Sequence, residues 1–422
     1  MSMIGLDAYL SNGCDGTGGR LKAFPEDFIV EEVPLDIPED ENGRYTLAFV
    51  RSRNWETNRL VRQLSRTLGI SRKRIYFAGT KDKRAITTQV MVFDAPTEDV
   101  LSIRIKDVTI EGVHRVSNPV FLGDLIGNRF DVIIRDLIDE DSAECVRSVL
   151  ENAGGFPNYF GVQRFGSVRP ITHIVGKHIV RRDFESAVID YLGHPVPLEG
   201  EEAYEARKSF VETHDMEEAL RNYPTYLTFE RAMLNHLVVN ENDWIGAIEV
   251  LPKNLSRMFV HAYQSYLFNL MLSERIKRGL ITELLEGDIV VGLENGMPVY
   301  REMIRVKERN LRRIEQRVRE GKAAVTGAVF GSDTMLAEGT QGEIEREIID
   351  AEGLQPEDFM FERPENLNSA GTRRALLSKF MDLRIERMPD KSMRLSFMLP
   401  KGCYATSLLR EFMKVEELTA YG

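Results

Sequence analysis

Residues 77–89 read "FAGTKDKRAITTQ". The stretch lies between "RIYFAG" and "TTQVMVF", two runs rich in β-branched and aromatic residues, and so reads as a strand-to-strand loop. Within it one acid, Asp82, stands among Lys81, Lys83 and Arg84, with Gly79 ahead and small or hydroxylated residues behind. Flanking cations favour the ionised carboxylate, which suits a nucleophile better than a general acid. The plainer reading is a charged turn in which Asp82 caps the chain or pairs with Lys81 or Arg84. No second carboxylate lies close in sequence, so a glycosidase-type dyad is not indicated.

Upstream, "FIVEEVPL" alternates after a turn at "FPEDF", and "GRYTLAFVR" is β-rich after a Gly. "NWETNRLVRQLSRTLG" (54–69) predicts a helix, with Leu60, Val61, Leu64 and Leu68 on one face, Asn54 as its cap and Gly69 as its stop. Downstream, "NRFDVIIRDL" reads as a strand and "DEDSAECVRSVLENAGG" as a helix with acids in its first turn and a Gly-Gly end. Strands and helices interleave without a regular βαβ rhythm or a GxGxxG fingerprint. The expected class is therefore α+β with a mixed or antiparallel sheet.

From about residue 170 to 375 longer helical patterns dominate, such as "RMFVHAYQSYLFNLMLSERIKRG" and "DTMLAEGTQGEIEREIIDAEG". β character then returns in "SMRLSFMLP", which places Met393, Leu395, Phe397 and Leu399 on one face. "KGCYATSLLREFMK" follows as a turn and a helix capped by Thr406 or Ser407. A β-rich piece at each end with a helical block between points to one domain inserted into another: 1–168 and 375–422 form the first, and 169–374 the insert.

The chain has 422 residues and a net charge of −11, which on average disfavours a nucleic-acid partner. The charge is unevenly spread. Residues 51–84 hold eleven Lys/Arg against Glu56 and Asp82, a local balance of +9 that leaves −20 for the remainder. Such asymmetry fits a localised polyanion-binding face, or a solvated helix with basic flanks. The three cysteines, Cys14, Cys145 and Cys403, are far apart and form no CxxC pair, which argues against a disulfide framework and a zinc site. The seven histidines include no HExxH or HxxxH pair, so no metal is expected. No apolar run approaches the ~18 residues of a membrane span, and no secretory signal opens the chain. A cytoplasmic protein is expected.

Two further stretches suit a nucleotide. "NYFGVQRFG" (158–166) sets Tyr159, Phe160 and Phe165 among glycines, with Asn158 and Gln163 as amides, a mix able to stack a base and read its edge. A Gly-flanked core strand is the alternative. "GCYAT" (402–406) places Tyr404 at a strand end, where it either lines a cleft or packs in the core.

Taken in order, "LKAFPEDFIVEE", "FAGTKDKRAITTQ", "NYFGVQRFG" and "LPKGCYATSLLRE" closely resemble the TruD family of tRNA pseudouridine synthases. The resemblance implies a pseudouridine synthase-like catalytic domain with an inserted α/β TRUD domain. It implies isomerisation of uridine to pseudouridine at position 13 of tRNA, with no cofactor, no metal and no membrane partner. Asp82 corresponds to the family's nucleophilic aspartate. Phe28, Asn158 and Tyr404 fall at positions implied to contact the target uridine, the last a Tyr where the family also carries Phe. Phe160 falls where other pseudouridine synthases are expected to hold a stacking tyrosine, and Lys22 is an implied partner for the Asp82 carboxylate. The chemistry is redox-neutral, in keeping with the missing dinucleotide signatures. The competing readings are a non-catalytic RNA-binding protein, a uridine methyltransferase, which would need a methyl-donor site, and the same isomerisation on a different RNA. Nothing in the sequence sets an oligomeric state.

Overall fold

A computed structural model describes every residue except Asp82, Ser167 and Asn295. The chain divides into two compact units, one of residues 11–156 and 378–422, the other of residues 1–10 and 157–377.

The first unit is built on a nine-stranded mixed sheet. Its main path runs Met381–Met388, Ser392–Pro400, Leu125–Leu137, Phe28–Pro34, Ile86–Phe93, Tyr45–Arg53, Val108–Val116. Every pairing is antiparallel except the central one, where Val30 lies level with Thr87 and the two strands run parallel. The C-terminal strand Ser392–Pro400 joins Leu125–Leu137 in register, Leu395 opposite Val132 and Phe397 opposite Phe130. Alternation explains the fit: Met393, Leu395, Phe397 and Leu399 are all buried, as the period-two pattern predicts. Residues more than 250 positions apart thus share one hydrogen-bonded ladder.

On this sheet lies the basic helix, Thr57–Leu68. Leu60, Val61 and Leu64 pack with Ala48, Val50, Met91 and Phe93, while Arg59, Arg62 and Arg66 are exposed. Gly69 ends it in the left-handed region with φ 64°, where a Cβ would be strained. The cap differs from expectation. Glu56, not Asn54, accepts the amide hydrogens of Asn58 and Arg59, both at 2.9 Å. Asn54 instead donates its backbone N–H to Ala85 O at 3.0 Å, which takes it out of the helix. The last helix also differs: it spans Ala405–Met413 with Tyr404 in the cap position, and Thr406 and Ser407 are buried inside its first turn.

Cys14 and Cys145 form a disulfide across 131 residues of sequence, which corrects the expectation of unpaired thiols. The reason is topological. Gly18 pairs antiparallel with Leu137, so the chain before Gly18 and the chain after Leu137 leave the sheet at the same end. Cys403 takes no part in a disulfide, and its Sγ lies 2.9 Å from Ser378 Oγ.

The second unit is mainly helical. Its centre is the 25-residue helix Lys253–Lys277, buried on most of its surface, with Val260, Tyr263, Leu267 and Met271 in the core. A helix buried nearly all round cannot be recognised by a single apolar stripe. Thr172–Val180 and Gly339–Ala351 contribute Val175, Ile179, Ile344 and Ile349 to the same core. An antiparallel four-stranded sheet completes the unit, in the order Met297–Arg305, Ile289–Glu294, Ala323–Val329, Thr372–Ala375. The N-terminal residues belong here, because Asn269 donates to Ile4 O at 3.0 Å and Ser273 to Gly5 O at 2.8 Å. Among the described residues no helix is long and apolar enough to cross a membrane.

The disulfide gives a direct test. Unfolded, unreduced protein should titrate one thiol, Cys403, and reduced protein three. Closing so long a loop constrains the unfolded chain, so Cys14→Ser should lower stability by about 2–5 kcal/mol in a urea titration under oxidising conditions. Three thiols before reduction would refute the pairing.

Candidate active site

The predicted residues fall into two groups: Lys22, Phe28 and Tyr404 in the mixed-sheet unit, and Asn158 and Phe160 in the helical unit. Asp82 lies outside the described residues, but both shoulders of its loop are described. On the near side Lys81 donates its backbone N–H to Thr57 Oγ1 at 2.8 Å, tying the loop to the first residue of the basic helix. Its ammonium reaches down to Glu32 Oε2 at 2.5 Å. The Lys81 side chain is 6% exposed and that of Glu32 is fully buried, and Glu32 Oε1 also accepts from Val90 N at 3.2 Å. On the far side Ala85 is buried and its carbonyl accepts from Asn54. The loop is therefore held from the sheet floor and the helix end.

This changes the role expected of Lys81. The sequence reading placed it with the phosphate-facing cations, whereas its charge is spent on a buried carboxylate. Arg53 is likewise paired with Glu26, and Arg74 with Asp94. Arg59, Arg62, Arg66, Arg72, Lys73, Lys83 and Arg84 remain exposed, and they make the basic face. Arg59 also lies 5.4 Å from the Trp55 ring.

Lys22 and Phe28 come together. The Lys22 ammonium lies 4.6 Å from the centre of the Phe28 ring, close enough for a cation–π contact. Both residues are buried, and Lys22 holds a positive φ of 55°. Phe28 starts its strand directly after Asp27, whose buried carboxylate takes two donors from Arg135, Nε at 2.9 Å and Nη2 at 2.7 Å. Phe28 meets Phe130 edge-on at 6.1 Å, and Phe130 stacks on Phe397 at 5.3 Å. Tyr404 is half-buried where the strand Ser392–Pro400 passes into the last helix. The opposite face of the sheet carries a groove of about 550 Å³ in which Arg51, Arg129 and Arg384 are balanced by Glu31, Asp131 and Asp382. That balance does not favour a polyanion.

In the helical unit "NYFGVQRFG" is neither a strand nor an aromatic platform. Tyr159 and Phe165 are fully buried: the Tyr159 hydroxyl bonds Ser273 Oγ at 2.8 Å, and Phe165 meets His173 edge-on. Phe160 alone of the three aromatics is half-exposed. Its backbone is clipped by one side-chain amide: Asn269 Oδ1 accepts from Phe160 N at 2.9 Å and Asn269 Nδ2 donates to Phe160 O at 3.1 Å. Asn158 is buried, donating from its backbone N–H to Leu376 O and from Nδ2 to Ala375 O, both at 2.9 Å. Arg374 completes the group, donating from Nη2 to Asn158 Oδ1 at 2.6 Å. Nearby, burial first and then the charges of Arg164 and Arg257 push His261 down to about 4, so its ring is neutral at physiological pH.

Sequence reasoning missed Glu32, Asn269 and Arg374. Asn269 left a trace as the amide inside the apolar run "SYLFNLML", and Arg374 as half of the pair in "TRRAL". Glu32 shares the face of Phe28 and Val30 in its alternating strand, where a carboxylate calls for a buried partner.

The mixed-sheet unit thus carries a clamped loop, and the helical unit by itself presents one fixed amide beside one half-exposed ring. A family model described as tRNA pseudouridine synthase D (TruD) matches residues 3–412. A protein of Methanosarcina acetivorans named "Probable tRNA pseudouridine synthase D" is 44% identical over 98% of this chain and 97% of its own. One of the same name from Thermococcus sibiricus is 41% identical, over 96% and 97%. A crystal structure from Methanosarcina mazei, named "Putative tRNA pseudouridine synthase D (TruD)", superimposes with a TM-score of 0.83 at 41% identity, covering 98% of this chain and 97% of that one. The chain belongs to the tRNA pseudouridine synthase D family.

Glu32→Gln would leave the Lys81 ammonium buried beside a neutral group. Breaking a buried pair from one side costs about 3–5 kcal/mol, so the variant should melt well below the parent. Glu32→Gln with Lys81→Met should recover part of that loss. Additive losses in the double variant would mean the two side chains are not coupled.

Proposed function

We propose that this chain isomerises uridine to pseudouridine at position 13 of tRNA, with Asp82 as the nucleophile. Membership of the tRNA pseudouridine synthase D family carries the reaction class and the RNA substrate. The assignment of individual residues rests on their matching the family's motifs and on the chemistry below.

The reaction exchanges one bond for another. The N1–C1′ glycosidic bond breaks, the uracil turns, and a C5–C1′ bond forms. The proton on C5 is lost and N1 gains one, so no electrons are transferred overall. An ionised carboxylate can open this sequence by attacking C1′, with the uracil as leaving group, or by adding to C6 of the base. Either route demands a pocket that takes a flipped-out nucleotide and holds the freed base while it turns. Phe160 and Tyr404 are the aromatic candidates for stacking, and Asn158 the amide for the base edge. A base stacked on an aromatic ring gains about 1–3 kcal/mol, enough to offset much of the cost of unstacking it from RNA. Phe28 and Lys22 would shape the site near Asp82, the Lys22 ammonium supplying a positive charge that favours the ionised carboxylate.

Asp82→Asn preserves volume and removes the charge. Turnover, read as tritium release from tRNA carrying [5-³H]uridine, should fall by roughly a thousandfold or more, because a nucleophile has no substitute. tRNA affinity should stay within a few fold. Substantial residual release would remove Asp82 from this role, and release from a tRNA lacking U13 would move the target.

The basic helix predicts the salt dependence. Affinity for tRNA should fall steeply with salt, at about 0.7–0.9 units of log K per phosphate neutralised for each tenfold change. Replacing Arg59, Arg62 and Arg66 together with Gln should flatten the slope by about two units, since all three face solvent at i, i+3 and i+7. An unchanged slope in a folded variant would make this helix a plain solvated surface.

A further inference from the structure

We infer that Arg374 positions the target base indirectly, by fixing the Asn158 amide and the Phe160 ring in the orientation that the base meets. The inference rests on the reading above that Asn158 and Phe160 contact that base.

The strand Thr372–Ala375 alternates, so its two adjacent arginines part company. Arg373 points inward, 1% exposed, onto the buried carboxylate of Glu345 at 2.8 Å. Arg374 is half-buried on the other side. It grips Asn158 twice: Nε donates to the backbone carbonyl at 2.9 Å and Nη2 to Oδ1 at 2.6 Å. Both are charge-assisted bonds from one planar fork, which a lysine cannot reproduce. The same guanidinium lies 4.3 Å from the centre of the Phe160 ring, within cation–π range. Phe160 stands edge-on to Phe268 at 5.5 Å, and Phe268 has its place because Gly327, opposite Arg374 in the sheet, carries no side chain. A Cβ there would come within 3.2 Å of the Phe268 ring.

The grip on Asn158 has a chemical consequence. Oδ1 accepts a hydrogen bond from Arg374 while Nδ2 donates one to Ala375 O, so the amide cannot exchange its two ends without losing both bonds. Each end keeps one further position, an acceptor on Oδ1 and a donor on Nδ2. That pair complements the N3–H and adjacent carbonyl of uracil, and mismatches the N3 acceptor and amino group of cytosine. Arg374 thereby bears on base choice as well as on rate.

The test compares Arg374→Ala, Arg374→Lys, Asn158→Ala and the double alanine variant on target tRNA. Arg374→Ala should lower kcat by about 10–100-fold with KM within about threefold, since misplacing a reacting group costs rate rather than RNA affinity. The double variant should be no slower than Asn158→Ala, because residues acting as one unit are not additive. Added guanidinium at non-denaturing concentration should restore part of the Arg374→Ala turnover. Parent and Arg374→Ala should also differ in how far RNA with cytidine at the target site competes, the variant discriminating less. Should Arg374→Ala fail to fold, Arg374→Lys keeps stem and charge and should still lose about tenfold in kcat at an unchanged melting temperature. Parental kcat in a folded Arg374 variant, with Asn158→Ala impaired, overturns the inference alone. Parental kcat in Asn158→Ala overturns the reading beneath it.

Discussion

Arg373 and Glu345 meet in the interior, out of reach of bulk solvent. Both side chains are essentially unexposed, and taking two charges there costs several kcal/mol each unless every polar atom finds a partner. The helical unit provides those partners. Arg373 also donates to the Thr326 side chain and carbonyl, and Glu345 accepts from the backbone of Ala328 and Ala337. Gln341 extends the network, donating to Glu345 and accepting from Arg275, which is itself paired with fully buried Asp288. One connected polar network thus joins the long helix, the helix Gly339–Ala351 and the strands Ala323–Val329 and Thr372–Ala375.

That network favours the observed register of the strand Thr372–Ala375, since a slip of one residue would turn Arg373 off Glu345 and onto the opposite face. With register fixed, Arg374 has one place to go, and Asn158 and Phe160 are arranged around it. The precision of an amide far from Arg373 in sequence therefore derives from the cost of leaving a buried guanidinium unpaired.

The mixed-sheet unit uses the same device on a smaller scale. Its central parallel pairing brings the strands Phe28–Pro34 and Ile86–Phe93 side by side, and Glu32 becomes a buried anchor for Lys81 at the head of the loop. Thr57 and Asn54 hold that loop from the start of the basic helix and from the turn before it. The basic face and the loop with Asp82 are consequently parts of one construction: moving the helix start would move the loop.

The sequence by itself determined what is local or periodic. Strand alternation in 392–400, the apolar face of 57–68 and the glycine stop at Gly69 depend on neighbours a few residues away, and each was legible. So was the order of the motifs that mark the family, because chemistry constrains short runs of residues. Tertiary structure alone decided which charges are spent and which are free. Lys81 and Arg374 sit in runs that look like solvated cations, yet one is neutralised by Glu32 and the other engaged by Asn158. Cys14 and Cys145 read as unpaired thiols until the pairing of Gly18 with Leu137 brought them together. Tyr159 and Phe165 looked equal to Phe160 as stacking rings, and only packing buried two and left one. A partner set by pairing across a hundred residues or more leaves no mark on the spacing of either residue in the chain.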